Sequence, residues 1–158
     1  MSRVLLVPFV LLSTLFTGCF DNKPEETLFE LVGSKEERIE ALNKILLREN
    51  ESLPSPLRNA YLLEVKIGDG RMGPSDYQTY CSFEVAPSEI ERWIEDLGAP
   101  IEKTLPVEMP ELDRFWWPDR ETLKQLAFHP GKSLSGRVNS WAAIDPKAGR
   151  IHVYSFTL

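Results

Sequence analysis

The sequence predicts an α+β domain: a small antiparallel sheet of about four strands, arranged as two hairpins, with two to three helices packed on one face. Apolar residues alternate with polar ones along 61–67 and 77–85, and again in two short runs near the C-terminus. That is the period of a half-buried strand. Apolar residues recur instead at helical spacing along 35–49 and 88–97. The resulting order is helix, strand, strand, helix, helix, strand, strand. Neighbouring strands then pair across short loops, which leaves the helices to cover the sheet.

The first residues stand outside that fold. Arg3 and the N-terminal amine supply positive charge, and 4–16 is apolar except for Ser13 and Thr14, with Pro8 within it. The run is too short to cross a bilayer as a helix, which needs about 20 residues. A basic start and a short apolar core describe a secretory signal peptide. It ends in Phe16, Thr17, Gly18 and Cys19, followed at once by Phe20, Asp21 and Asn22. Small residues before a cysteine in this position resemble the lipobox of bacterial lipoproteins, although Phe16 stands where Leu is usual. The resemblance covers only about the first 20 residues. It implies cleavage after residue 18, a lipid on Cys19, and a protein held to a membrane in the bacterial cell envelope. Phe20, rather than Asp, after the cysteine points to the periplasmic face of the outer membrane over the inner one. A plain signal peptide or an uncleaved anchor containing a cysteine is the alternative. On this reading 1–18 is the signal peptide, 19–33 the lipidated N-terminus and polar tether, and 34–158 a single globular domain. Two or more acyl chains on one residue hold a protein stably, where a single chain does not.

The chain has 158 residues and a net charge of −6. Its length suits one domain with a real core. The acidic balance argues against a nucleic-acid footprint, which wants a basic face, and against electrostatic adhesion to anionic lipid heads. There are two cysteines, Cys19 and Cys81. With lipid on Cys19, Cys81 has no disulfide partner, so the core must stabilise itself. No Cys/His spacing suits zinc, and no cofactor or metal is expected.

Ser34 and Glu37 form a capping-box pattern, with Ile39, Leu42, Ile45 and Leu46 on one helical face. Pro54 and Pro56 break that helix. Tyr61, Leu63, Val65 and Ile67 then share one face of a strand, with Glu64 and Lys66 on the other. In the next strand Cys81 shares the inward face with Phe83 and Val85, where a buried thiol is a small inert hydrophobe. Ser88 and Glu91 repeat the capping-box pattern before Ile90, Trp93, Ile94 and Leu97, and Gly98 and Pro100 end the helix. Residues 99–118 have no period and read as a long loop. Asp119 caps a short helix carrying Leu123, Leu126 and Ala127, ended by Pro130 and Gly131. Strands at 138–144 and 150–156 flank a turn with Pro146 and a left-handed Gly149.

Gly68, Gly70 and Gly73 spell a dinucleotide-binding pattern, but a strand follows where the chemistry needs a helix N-terminus. The stretch reads as a hairpin loop. Asp69 and Asp76 flank it without calcium-loop spacing. His152 shares a strand face with Tyr154 and Phe156 and reads as a packed histidine. His129, near a helix end, suits a carbonyl dipole. No serine has a nucleophile-elbow context, and so many carboxylates offer catalytic pairs by chance alone.

The most informative body stretch is Arg114, Phe115, Trp116, Trp117, Pro118 and Asp119. Three consecutive aromatics in an extended segment cannot all enter one core, so at least one ring lies near the surface. Either an indole clamps the proline-rich loop, or the rings and Arg114 form a binding surface, joined by Arg71 and Asp69 of the glycine loop. Trp141 is expected in the core. Two functional classes follow. The preferred one is a non-catalytic envelope module that binds a protein or a cell-wall glycan. In an inhibitor or immunity-type form, its acidic surface would neutralise a cationic hydrolase or toxin. The alternative is an envelope hydrolase using carboxylates or His129.

Overall fold

A computed structural model describes residues 26–47, 52–67, 76–102 and 109–157. The elements run β1 (Glu26–Glu30), α1 (Lys35–Leu46), β2 (Asn59–Ile67), β3 (Asp76–Glu84), α2 (Ile90–Leu97), α3 (Arg120–Gln125), β4 (Ala127–Pro130), α4 (Lys132–Ser135), β5 (Ser140–Asp145) and β6 (Arg150–Phe156). The strands form one six-stranded sheet in the order β1-β2-β3-β6-β5-β4. Every neighbouring pair is antiparallel. The α+β class stands, but the expected sheet of about four strands was too small. The added strands are the two edges. β1 lies inside the stretch expected to be tether, and β4 was read as the tail of a helix ending at Pro130. Pro130 is tolerated because β4 is an edge, where a missing N–H breaks no inner ladder.

The helices were expected on one face, and here the structure differs. The inner strands carry apolar residues on both sides. Ala60, Leu62, Cys81, Phe83, Ile151 and Val153 face one way and pack under α1, α2 and α4. Leu63, Val65, Tyr80, Trp141 and Tyr154 face the other way, where α3 and the loop at 109–119 cover them. A strand apolar on both faces must be buried on both. Leu62 pairs with Cys81, so Cys81 lies opposite the Tyr61 face, on the side toward the helices. Among the described residues, 26–157 supply both cores and all five strand pairings.

The caps show why the helices begin where they do. Ser34 Oγ accepts from Glu37 N at 3.2 Å, and Glu37 Oε2 accepts from Ser34 N at 2.7 Å. The reciprocal box forms as expected. The Ser34 backbone N–H, and after it the Ser34 hydroxyl, hold the Glu37 carboxyl below its ordinary range. The second box does not form. Pro87–Glu89 is a 3₁₀ turn and α2 starts at Ile90, one residue later than a Ser88 cap would set it, with no side-chain cap at Glu89. Pro87 favours such a tight first turn. Asp119 does cap α3, accepting from Thr122 N at 2.7 Å. Gly149 takes the left-handed conformation, φ 64°. Asp145 Oδ1 closes that turn by accepting from Lys147 N and Ala148 N.

Candidate functional site

The aromatic stretch divides between core and surface. Trp116 is 5% and Trp117 6% exposed, while Phe115 is 86% exposed. Trp116 stacks parallel on Tyr61, centroids 5.6 Å apart. Trp117 meets Tyr80 edge-on at 5.2 Å, lies 6.1 Å from Trp141, and donates its Nε1–H to Pro110 O at 3.2 Å. Both indoles therefore fasten the loop to the sheet. Phe115 is the ring left outside, edge-on to Tyr61 at 5.4 Å. Arg114 Nε lies 3.4 Å from a Glu30 carboxylate oxygen, tying the same loop to β1. Arg71, Asp69 and Cys19 lie outside the described residues, so the structure does not join them to Phe115.

The histidines are internal. His129 is buried, and its Nδ1 lies 2.8 Å from Gly98 O. A carbonyl can only accept, so Nδ1 carries the proton. His129 was expected at the end of its own helix; it sits instead on edge strand β4, and the carbonyl it meets is the C-cap of α2. Buried His152 packs edge-on against Trp117 at 5.7 Å, and its Nδ1 has no hydrogen-bond partner among the described residues. Burial lowers its pKa to about 4; Arg150 adds to the shift and Asp145 opposes it. Burial pushes the Cys81 thiol up to about 12. Neither histidine nor Asp76 opens onto the main cavity.

That cavity lies on the helix side of the sheet, between α1 and α4, with a volume of about 610 Å³. The strand register builds its floor. Leu62, Cys81 and Val153 are direct cross-strand partners and make an apolar row. Two residues along each strand, Glu64, Thr79 and Ser155 are likewise partners and make a polar row. The rows are about 7 Å apart, since two strand residues rise that far. Leu42, Ile45 and Leu46 of α1 form one wall and Leu134 of α4 the other; Phe29 of β1 and Arg137 also line the cavity.

Arg137 sits over the polar row. Its Nη1 donates to Thr79 Oγ1 at 3.0 Å, and its Nη2 lies 3.9 Å from a Glu64 carboxylate oxygen. The Thr79 hydroxyl donates to Glu64 Oε2 at 3.5 Å. Ser135 Oγ, which accepts from Arg137 N at 3.2 Å, fixes the start of the Arg137 backbone. The Arg137 and Glu64 side chains are each 30% exposed. The polar row therefore opens at Glu64 and Arg137, which form the mouth, while Ser155 beside them is buried; the row with Cys81 is buried throughout and is the closed end.

Sequence reasoning passed over Arg137 because Ser135, Gly136 and Arg137 are too short a motif to read. Alternation put Glu64 on a wet position but Thr79 on the inward face with Cys81, so it gave no signal of the polar row; only the strand register sets the two opposite each other. Among the described residues, no group of three or more His, Cys, Asp and Glu side chains could hold a metal ion. Among the same residues, no helix is long and apolar enough to cross a membrane. Comparison of the chain with protein-family models, curated proteins and solved structures finds no match.

Proposed function

We propose that this protein is a non-catalytic binding module of the bacterial cell envelope, tethered by lipid on Cys19, and that the cavity between α1 and α4 is its binding site. The anchor rests on the Thr17, Gly18 and Cys19 pattern after a short apolar run. The binding role rests on one observation, the cavity floor that passes from an apolar to a polar row beneath Arg137. Small-molecule sites are concave, mostly apolar, and carry a few placed polar groups; their volumes run from about 300 to 1,000 Å³. The cavity meets each condition. It replaces the aromatic stretch as the site, because Trp116 and Trp117 are spent on holding the loop.

Capture from an extract of the organism's own envelope tests this reading. The immobilised chain 20–158 is compared with Ala41→Trp, which fills the cavity from α1, and with Phe115→Ala. The expected result is one small molecule retained stoichiometrically by the parent and by Phe115→Ala and lost from Ala41→Trp. Equal retention by all three, or loss only from Phe115→Ala, would move the site elsewhere. Separately, Cys19→Ser in the full chain should shift the protein from the membrane to the soluble or unprocessed fraction. No change in membrane association would remove the lipid anchor from the account.

A further inference from the structure

Resting on the binding role just proposed, we infer that the cavity takes a single-chain amphiphile whose head carries no net charge. The chain would lie along the Leu62, Cys81 and Val153 row, and the head would meet Glu64 and Arg137.

The closed end specifies an apolar chain. Leu42, Leu46, Leu62, Cys81, Leu134 and Val153 line it and are all buried. The Cys81 thiol, with a pKa near 12, stays neutral there and presents no charge to the occupant. A polar group driven into that end would lose its water without gaining a partner. The apolar part must therefore enter first.

The mouth specifies the head. Arg137 brings five N–H donors, of which one contact, to Thr79, is a short hydrogen bond. Glu64 is within reach of Thr79 at 3.5 Å and Arg137 at 3.9 Å, both long for a carboxylate. The pair thus keeps donor capacity on one side and acceptor capacity on the other. A head bearing only negative charge would satisfy Arg137 while facing Glu64. A head bearing only positive charge would do the reverse. A head that both accepts and donates satisfies both, whether it is a neutral glycerol or a zwitterion with phosphate toward Arg137 and ammonium toward Glu64. Thr79, Ser135 and Ser155 hydroxyls adapt to either. Lys44, at the rim, is already paired with Glu40 at 2.7 Å and adds no free cation to favour an anion.

Titration of chain 20–158 separates these cases. The probes are monooleoylglycerol, lysophosphatidylethanolamine, oleate and an oleylamine, each below its aggregation threshold, with native mass spectrometry reading stoichiometry. The first two should bind one per chain and at least tenfold tighter than oleate or the amine. Arg137→Gln should narrow the preference against the amine, and Glu64→Gln the preference against oleate. Ala41→Trp should abolish binding; Ala41→Leu, a milder filling, should weaken it about tenfold while circular dichroism confirms the fold. Oleate binding as tightly as monooleoylglycerol would overturn the head assignment. Binding of an apolar peptide, but of no amphiphile, would overturn the ligand class while leaving the binding role intact, provided that Ala41→Trp blocks it. No probe bound, together with envelope capture insensitive to Ala41→Trp, would overturn both.

Discussion

Replacing Trp117 with alanine should unfold much of what holds the second face of the sheet. The indole is 6% exposed and contacts the rings of Tyr80, Trp116, Trp141 and His152. Its N–H also reaches Pro110 O. Truncating a buried tryptophan costs about 3–5 kcal/mol through lost transfer energy and the cavity left behind. The upper half of that range applies, because the lost hydrogen bond and edge-on contacts also release the loop that covers Leu63 and Tyr154. Phe115 is the internal control. Its ring is 86% exposed, and removing it should change stability by no more than about 0.5 kcal/mol. Urea melts of chain 20–158 read both, with Cm at constant m giving the difference. A Trp117→Ala loss below about 1 kcal/mol, or a Phe115→Ala loss exceeding it, would refute the clamp.

Stability should fall in acid through His152. Its folded pKa, about 4, lies below the unfolded value near 6.5, so the unfolded chain takes the proton first. The contribution is present above about pH 6.5 and is lost as pH falls toward 4; between about pH 7.5 and 4.5 the loss is roughly 2–3 kcal/mol. His152→Gln should lose that much less over the same interval, and parallel pH profiles for the two chains would contradict the assignment. Gly131→Ala should destabilise by about 1–3 kcal/mol, because an added Cβ would stand 2.7 Å from Trp141 N, a backbone atom that cannot swing away. A melting temperature unchanged by that substitution would mean β4 and β5 pack less closely than described. Cys81, buried and neutral, should react with a thiol reagent at least ~100-fold slower in the folded chain 20–158 than in urea. Comparable rates would mean that the closed end of the cavity opens readily.

Periodicity made the inner sheet legible. The alternation at Tyr61, Leu63 and Val65, and again at Cys81, Phe83 and Val85, placed β2 and β3 within a residue or two of their ends. Asp145 and Gly149 placed the last hairpin. Local chemistry also made two caps legible, at Ser34 and Asp119. It failed at Ser88, where Pro87 favours a 3₁₀ turn that displaces the cap. The edge strands were hidden for a different reason. β1 is five residues long, begins and ends in Glu, and has a bulge between Thr27 and Phe29. β4 is four residues ending in proline. Neither has an alternating run long enough to stand out, and both are made by pairing with a longer neighbour.

The second face was hidden because alternation was read as wet and dry. Tyr80 looked like an outer position beside inward Cys81, yet the loop at 109–119 buries it. Only tertiary contact decides that. The same limit kept the cavity out of view. Glu64, Thr79 and Ser155 are ordinary strand residues until the register sets them in one row, and Arg137 belongs to no motif.

The most direct test of the account is a methyl-resolved NMR spectrum of chain 20–158 with and without an extract of its own envelope. Shifts confined to Leu42, Ile45, Leu46, Leu134 and Val153 are the predicted result, since these methyls wall the cavity. Shifts at Leu63, Val65 and Leu123, on the face closed by Trp116 and Trp117, with the cavity methyls unmoved, would contradict it.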